Sequence, residues 1–269
     1  MNRIRQFWHY ARKVFDLPRR LRSIRDERTD PKVPTWAVTA TLFLGAFLRR
    51  PSFLPIQADS RRRGWQRLLD YPEPIDDECL AYVAARYRLE DLRAALVSIN
   101  KTLKANKAFA SAKIDGLLVV EIDANEQFKS RSRCCEHCRQ RQVKVKNAQG
   151  HEEEVTEYYH HQVDAHLHGP EFSTVLDIET VPPGEDEARA AVRILGRMRR
   201  SYGPRFFDVV TVDAWYVQGP FLRAVEKLGW EWVVVLKQER MEAYQEALQL
   251  SQGQKPVLAF ADEERKKQV

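Results

Sequence analysis

Two carboxylates carry the strongest chemical suggestion in this chain. The stretch 206–212 is rich in aromatic and β-branched residues and runs into Asp213, and an earlier apolar stretch, 117–122, runs into Asp123 in the same way. Apolar runs of this length suit central strands buried on both faces. A carboxylate just past such a strand lies at the edge of the sheet, where α/β proteins place their sites. If the two strands are neighbours, Asp123 and Asp213 stand side by side. Close carboxylates repel unless they share a proton or a cation, so the pair predicts a divalent metal site. The plainer alternative is that each aspartate caps the loop that follows it.

The intervening elements decide between these readings. After Asp123 the residues predict a polar, cationic loop holding Arg131, Arg133, Arg139, Arg141, Lys144 and Lys146, with Cys134, Cys135 and Cys138 inside it. Residues 155–168 and 172–181 read as two further strands joined by the turn residues His168-Gly169-Pro170. Pro182-Pro183-Gly184 opens a helix with Glu185, Asp186 and Glu187 in its first turn and Arg197, Arg199 and Arg200 in its last, a distribution that matches the helix macrodipole. Gly203-Pro204 ends it. The Asp213 strand follows, then a short helix from Pro220 to a Gly229 cap. A fifth strand over 230–237, predicted to be buried, and a helix over 239–250 complete the order. Three strands, helix, strand, helix, strand, helix is the ribonuclease H-like arrangement, in which the first and fourth strands are neighbours. The expected fold class is therefore α/β (α+β): a ribonuclease H-like mixed sheet flanked by helices and preceded by an all-helical amino-terminal region.

That amino-terminal region, 1–110, is basic at its start. Residues 1–63 hold 15 Lys and Arg against 5 Asp and Glu, although the whole chain of 269 residues has a formal net charge of only +6. Such asymmetry points to nucleic acid or an anionic surface. Arg61-Arg62-Arg63-Gly64-Trp65 combines three cations with an aromatic, a composition suited to phosphate and base contact; exposed helix surface is the plainer reading. A helix is predicted over 35–49 with Thr35 as its N-cap, and another behind Asp76-Asp77-Glu78. Leu89, Leu92, Leu96, Ile99 and Leu103 form a narrow seam suited to a helical bundle or to pairing with a second copy. The apolar run 36–48 has 13 residues, too few to span a bilayer. With no secretory signal and no secreted disulfide framework in sight, a cytoplasmic protein is expected.

Residues 113–237 resemble the DDE transposases of bacterial insertion sequences, on specific motifs. Asp123-Ala124-Asn125-Glu126 followed by Ser130, Arg131, Cys135 and Cys138 is similar to that family's D-x-x-E…S…C-x-x-C start. Val212-Asp213-Ala214-Trp215-Tyr216, followed by Pro220-Phe221, resembles its second-aspartate motif, and 232–238 its next strand ending near a lysine. The resemblance implies cleavage and transfer of DNA strands with Mg²⁺ (or Mn²⁺) held by Asp123, Asp213 and a third acid; DNA contacts through Arg61, Arg62, Arg63, Arg131 and Arg133 are expected from the cationic composition of their stretches. Transposon ends are the partner it implies, and a second copy of the chain is a further candidate. The domains expected are a basic helical region, 1–110, for DNA binding or dimerisation, and a DDE catalytic domain, 111–269.

The departure concerns the third acid, which the family carries on a helix after the fifth strand. Glu246 is the candidate on the predicted 239–250 helix. The expectation favoured here is instead that the chain stops before the third acid, as in a truncated and inactive copy. Two rivals stand beside the transposase: a non-catalytic DNA-binding or dimerisation module, and a ribonuclease H-like nuclease that does not transpose. The Cys135-Glu136-His137-Cys138 loop has zinc-ligand spacing but no second C-x-x-C. Its favoured reading is a metal-free, DNA-touching loop; the alternative is zinc, with His151, His160, His161 or Cys134 completing the set.

Overall fold

The structure is a computed structural model that describes residues 2–147, 150–236, 242–252, 254, 261–262 and 267–268. Its chain folds into two compact units. One comprises Met1–Leu118, Ala165–Ile178 and Arg197–Phe206; the other comprises Val119–Asp164, Glu179–Gly196 and Phe207–Val269.

The first unit is led by seven helices: α1 (Asn2–Phe15), α2 (Leu17–Arg22), α3 (Thr35–Phe47), α4 (Phe53–Ser60), α5 (Arg63–Leu69), α6 (Asp77–Ala84) and α7 (Leu89–Ala105). Helix α3 is apolar nearly all round and is buried accordingly, with Ala37, Val38, Ala40 and Leu44 closed off from solvent. Its N-cap is Pro34 and not Thr35, because the Thr35 hydroxyl is taken by Asp26 at 2.8 Å. Asp76 caps α6 by accepting the Cys79 N–H at 2.5 Å. The leucine seam of α7 is partly used within the chain, since its Leu92 and Ile99, with Ala95 beside them, pack on the core of Leu21, Leu44 and Trp65, while Leu89 is exposed. Leu92 and Ile99 are thus partly covered within the chain.

The strands are β1 (Val119–Ser130), β2 (Arg139–Lys146), β3 (Glu152–His168) and β4 (Thr174–Thr180), followed by helix α8 (Glu187–Tyr202), β5 (Val209–Asp213), α9 (Gly219–Lys227), β6 (Glu231–Val235) and α10 (Glu242–Ser251). They form a mixed six-stranded sheet in the order β2-β3-β1-β5-β6, with β4 also paired to β3. Strand β1 is parallel to β5, and β5 is parallel to β6. This is the ribonuclease H-like arrangement that the order of elements predicts, with the first and fourth strands of that fold, β1 and β5, side by side.

Three local features differ from expectation. The cationic stretch after Asp123 is not one loop. Residues Arg139 to Lys146 form β2, antiparallel to β3, with Arg141 opposite Glu157, Lys144 opposite Glu154 and Lys146 opposite Glu152. Cations on one strand facing acids on the next stabilise an exposed ladder that has little apolar content. Strand β1 also does not end at Asp123. It continues to Ser130, and its burial alternates, Val120 and Ile122 inside with Glu121 and Asp123 outside. Finally, β6 is not buried. Trp232, Val233 and Val235 are exposed because β6 is the last strand of the sheet. The end of the predicted strand, at 237, and the start of the last helix, 239–241, lie outside the described residues.

Candidate metal centre

Parallel pairing positions the two aspartates. The register joins Val119 to Val209, Val120 to Val210 and Glu121 to Thr211. Carried two residues further, the same register sets Asp123 abreast of Asp213, and neighbouring strands lie about 4.8 Å apart. Beyond Asp123 the long strand β1 runs on past the end of β5, so Asp123 sits in mid-strand beside the last residue of its neighbour. Asp213 does act as a cap: its Oδ1 accepts the Trp215 N–H at 2.9 Å and closes the 3₁₀ turn Ala214–Tyr216. Asp123 likewise accepts the N–H of Ala124 at 2.9 Å. The capping and metal-binding readings do not compete, because each of these bonds engages one carboxylate oxygen and leaves the other oxygen outside it.

A third acid, Glu187 on α8, lies within electrostatic reach of the pair. Asp186 is the N-cap, its Oδ1 accepting the Ala188 N–H at 2.8 Å. Glu187 is the first helical residue, and Glu185 lies outside the helix, bonded to Arg193. Burial pushes the Glu187 carboxyl upward, Arg139 opposes that shift, and the charges of Asp213, Asp186 and Asp123 push it further up. Glu187 therefore feels both strand aspartates. The composition alone explains the 185–187 acids by the helix dipole, and that explanation hid Glu187, whose carboxyl feels the charges of both strand aspartates. The available signal was the position of this helix, which opens directly after the strand meander.

Glu187 is held in place. Its Oε1 lies 3.2 Å from His161 Nε2, and His161 Nδ1 lies 3.0 Å from a guanidinium nitrogen of Arg139. An arginine only donates, so Nδ1 accepts and the imidazole proton is on Nε2, directed at Glu187. Burial and the Arg139 charge both lower the pKa of His161, so at neutral pH this contact is a hydrogen bond from neutral imidazole and not an ion pair. Arg139 also donates to the Glu185 carbonyl, which ties the start of α8 to β2.

Tyr216 completes the surroundings. It is buried, with 1% of its surface exposed, and its hydroxyl has no hydrogen-bond partner. Its pKa is raised, first by burial and then by the charges of Glu187, Asp123, Asp213 and Asp186. A buried hydroxyl without a partner costs about 1–3 kcal/mol. Tyr216→Phe is accordingly expected to stabilise the metal-free protein by about 1 kcal/mol, measured by urea unfolding in EDTA. A destabilised variant would show that the hydroxyl is satisfied after all.

The other predicted residues fall into distinct places. Glu126 of the D-x-x-E motif is not available to a cation, since it is bound at 2.6 and 3.1 Å by Arg141 and at 2.8 Å by Lys129. Those partners hold its carboxyl below the usual range. Glu246 is exposed on α10. Arg61, Arg62 and Arg63 are exposed at the corner between α4 and α5, and Arg62 pairs with Asp59 at 3.3 Å. Arg131 and Arg133 are exposed between β1 and β2. Cys135, Cys138 and His160 come together, whereas His161 is committed to Arg139 and Glu187.

Among the described residues no helix is long and apolar enough to cross a membrane. Compared with known proteins, the chain matches no family model and no curated protein.

Proposed function

We propose that this chain is a metal-dependent DNA-processing enzyme of the DDE transposase type, with Asp123, Asp213 and Glu187 as its metal-binding acids. What supports it is the parallel register that sets Asp123 abreast of Asp213, with Glu187 of α8 near enough that their charges add to the upward shift burial gives its carboxyl. Three carboxylates and a buried, unpartnered phenol are an all-oxygen donor set, which suits Mg²⁺ or Mn²⁺ better than zinc. Such an ion, when bound, supplies Lewis acidity at a phosphoryl oxygen and a water of lowered pKa.

The protein's own residues do the positioning. The Trp215 and Ala124 amides orient one oxygen of each aspartate and so aim the second. His161, fixed in one tautomer by Arg139, holds Glu187 by one oxygen. Tyr216 offers a hydroxyl within the field of these acids, where it can donate to a bound water. Asp123 and Asp213 are the acids that the resemblance assigns to metal binding and chemistry, and Glu187 replaces the third acid sought after β6.

One observation favours a second reading. The third acid lies on α8, before the Asp213 strand, whereas the resemblance to transposases places it after the last strand. A ribonuclease H-like nuclease that hydrolyses without transfer has equal use for this site. The test incubates the full chain with duplex DNA carrying candidate terminal repeats and Mg²⁺ or Mn²⁺. Joined 3′ ends support transposition, hydrolysed ends support the nuclease, and no cleavage with either ion removes both.

DNA is the proposed partner, held through the basic helices and through Arg131 and Arg133. Binding should weaken linearly in log salt with a slope of about −0.9 for each phosphate neutralised. Replacing Arg61, Arg62 and Arg63 together by Ala should make that slope shallower by about 2, because Arg62 is already partly neutralised by Asp59. Fluorescence anisotropy across a salt series measures it, and an unchanged slope removes those residues from the interface.

A further inference from the structure

Cys135, Cys138 and His160 each place a ligand atom within 4.8 Å of the others. The two sulfurs are 3.6 Å apart, and Cys135 Sγ is 3.1 Å from His160 Nε2. We propose that these three side chains are a zinc site, separate from the carboxylate centre, that fastens the 131–138 loop to β3.

The distances discriminate between chemistries. Two thiolates on one tetrahedral zinc, with bonds of about 2.3 Å, stand roughly 3.8 Å apart, and a thiolate and an imidazole roughly 3.6 Å apart. The observed sulfur separation is close to the first value. A disulfide needs about 2.05 Å and has no use for a histidine at the same point. Zinc with thiolate and imidazole ligands is the pairing that ligand softness favours.

The local backbone builds the cluster. Residues 135–138 form a turn closed by the Cys138 N–H to the Cys135 carbonyl at 3.1 Å. The Cys135 N–H points at Cys138 Sγ at 3.3 Å, a bond that supports a thiolate. Register supplies the histidine: β2 and β3 pair Arg139 with Tyr159, so one residue earlier Cys138 faces His160. Side chains alternate across a strand, which sends His160 to the cysteines and His161 to Glu187. His151 lies one residue before β3 and nine positions from His160, about 30 Å at strand rise, and is excluded. The ring of Phe128, at a left-handed φ of 50°, lies 5.5 Å from the His160 ring and limits its freedom. Cys134, next in the chain and exposed, is the protein candidate for the fourth position; water is the other.

The experiment uses the full chain, stripped with chelator under reducing conditions and titrated with Zn²⁺ and with Co²⁺. One zinc per chain and the intense visible bands of tetrahedral cobalt are expected. Cys135→Ser, Cys138→Ser and His160→Ala should each weaken binding beyond the ~10–100-fold typical of losing an outer-shell partner. His160→Cys, which keeps a soft ligand, should retain zinc, so a misfolded alanine variant does not decide the matter. Cys79→Ser and Asp123→Asn should bind as the parent does, which separates this centre from the carboxylate site. Loss of zinc in Cys134→Ser adds a fourth ligand to the three; retention assigns that position to water and leaves the three in place. The proposal is overturned if reduced protein takes up no zinc, if the cobalt spectrum is the pale one of octahedral coordination, or if His160→Ala binds zinc with parental affinity.

Discussion

Asp213→Asn and Asp123→Asn should each lower metal-dependent DNA cleavage by at least about 100-fold, with the fold unchanged. Charge stabilisation at a reaction centre is worth about 2.7–4 kcal/mol per preorganised group, and a metal ligand acts on the attacking and leaving oxygens together. Each asparagine keeps the shape and still accepts the local amide, Trp215 or Ala124, so the 3₁₀ turn and the strand should survive. What is lost is the negative charge that holds the cation. Cleavage rates at saturating Mn²⁺, with circular dichroism as a control on folding, decide the matter. A variant within tenfold of the parent would remove that aspartate from the site.

Glu187→Gln should have a comparable effect on cleavage and the opposite effect on stability. In the metal-free protein Glu187 is partly buried among like charges, and its pKa stands above the ordinary 4.5. The folded protein therefore holds this proton more tightly than the unfolded chain does. The stabilisation that comes from the protonated carboxyl is complete below the unfolded value. It declines as pH rises through the folded one. At pH 7 the ionised group is a net liability unless a cation neutralises it. In EDTA at pH 7, Glu187→Gln is thus expected to melt a few degrees higher than the parent, and near pH 4 the gain should vanish. The glutamine oxygen still accepts from His161 Nε2, so the neighbouring contacts persist. Saturating Mg²⁺ should raise the melting temperature of the parent and much less that of the variant, since a ligand stabilises only the state that binds it. Glu246→Gln, exposed on α10, serves as the comparison and should change neither quantity. If Glu246→Gln abolished cleavage and Glu187→Gln did not, the third acid would be on the last helix.

The amino-acid order by itself determined most of the elements and their sequence, β2 excepted. Run length and β-branching mark β1 and β5, the acids and arginines at its two ends mark α8, and Gly203, at a φ of 85°, ends α8 where the sequence places the stop. Element order was enough to make β1 and β5 neighbours, because short right-handed crossovers leave few alternatives. The side-by-side placement of Asp123 and Asp213 was legible for that reason.

Only the tertiary structure decided which further residues lie near them. Glu187 is chemically equivalent to Glu185 and Asp186 in a linear reading; the fold gives Glu185 to Arg193 and Asp186 to the cap, and brings Glu187 within the field of Asp123 and Asp213. Strand β2 escaped the sequence because its alternation is of charge against charge, and its stability depends on Glu152, Glu154 and Glu157 across the ladder. The same pairing chose His160 over His161 for the cysteines, since a one-residue step along a strand reverses the face. Burial of β6 was misjudged on composition alone, because what covers an edge strand depends on its neighbours and not on its own residues. Local periodicity reports which element a segment forms; partner choice is a long-range property, set by register and by which faces meet.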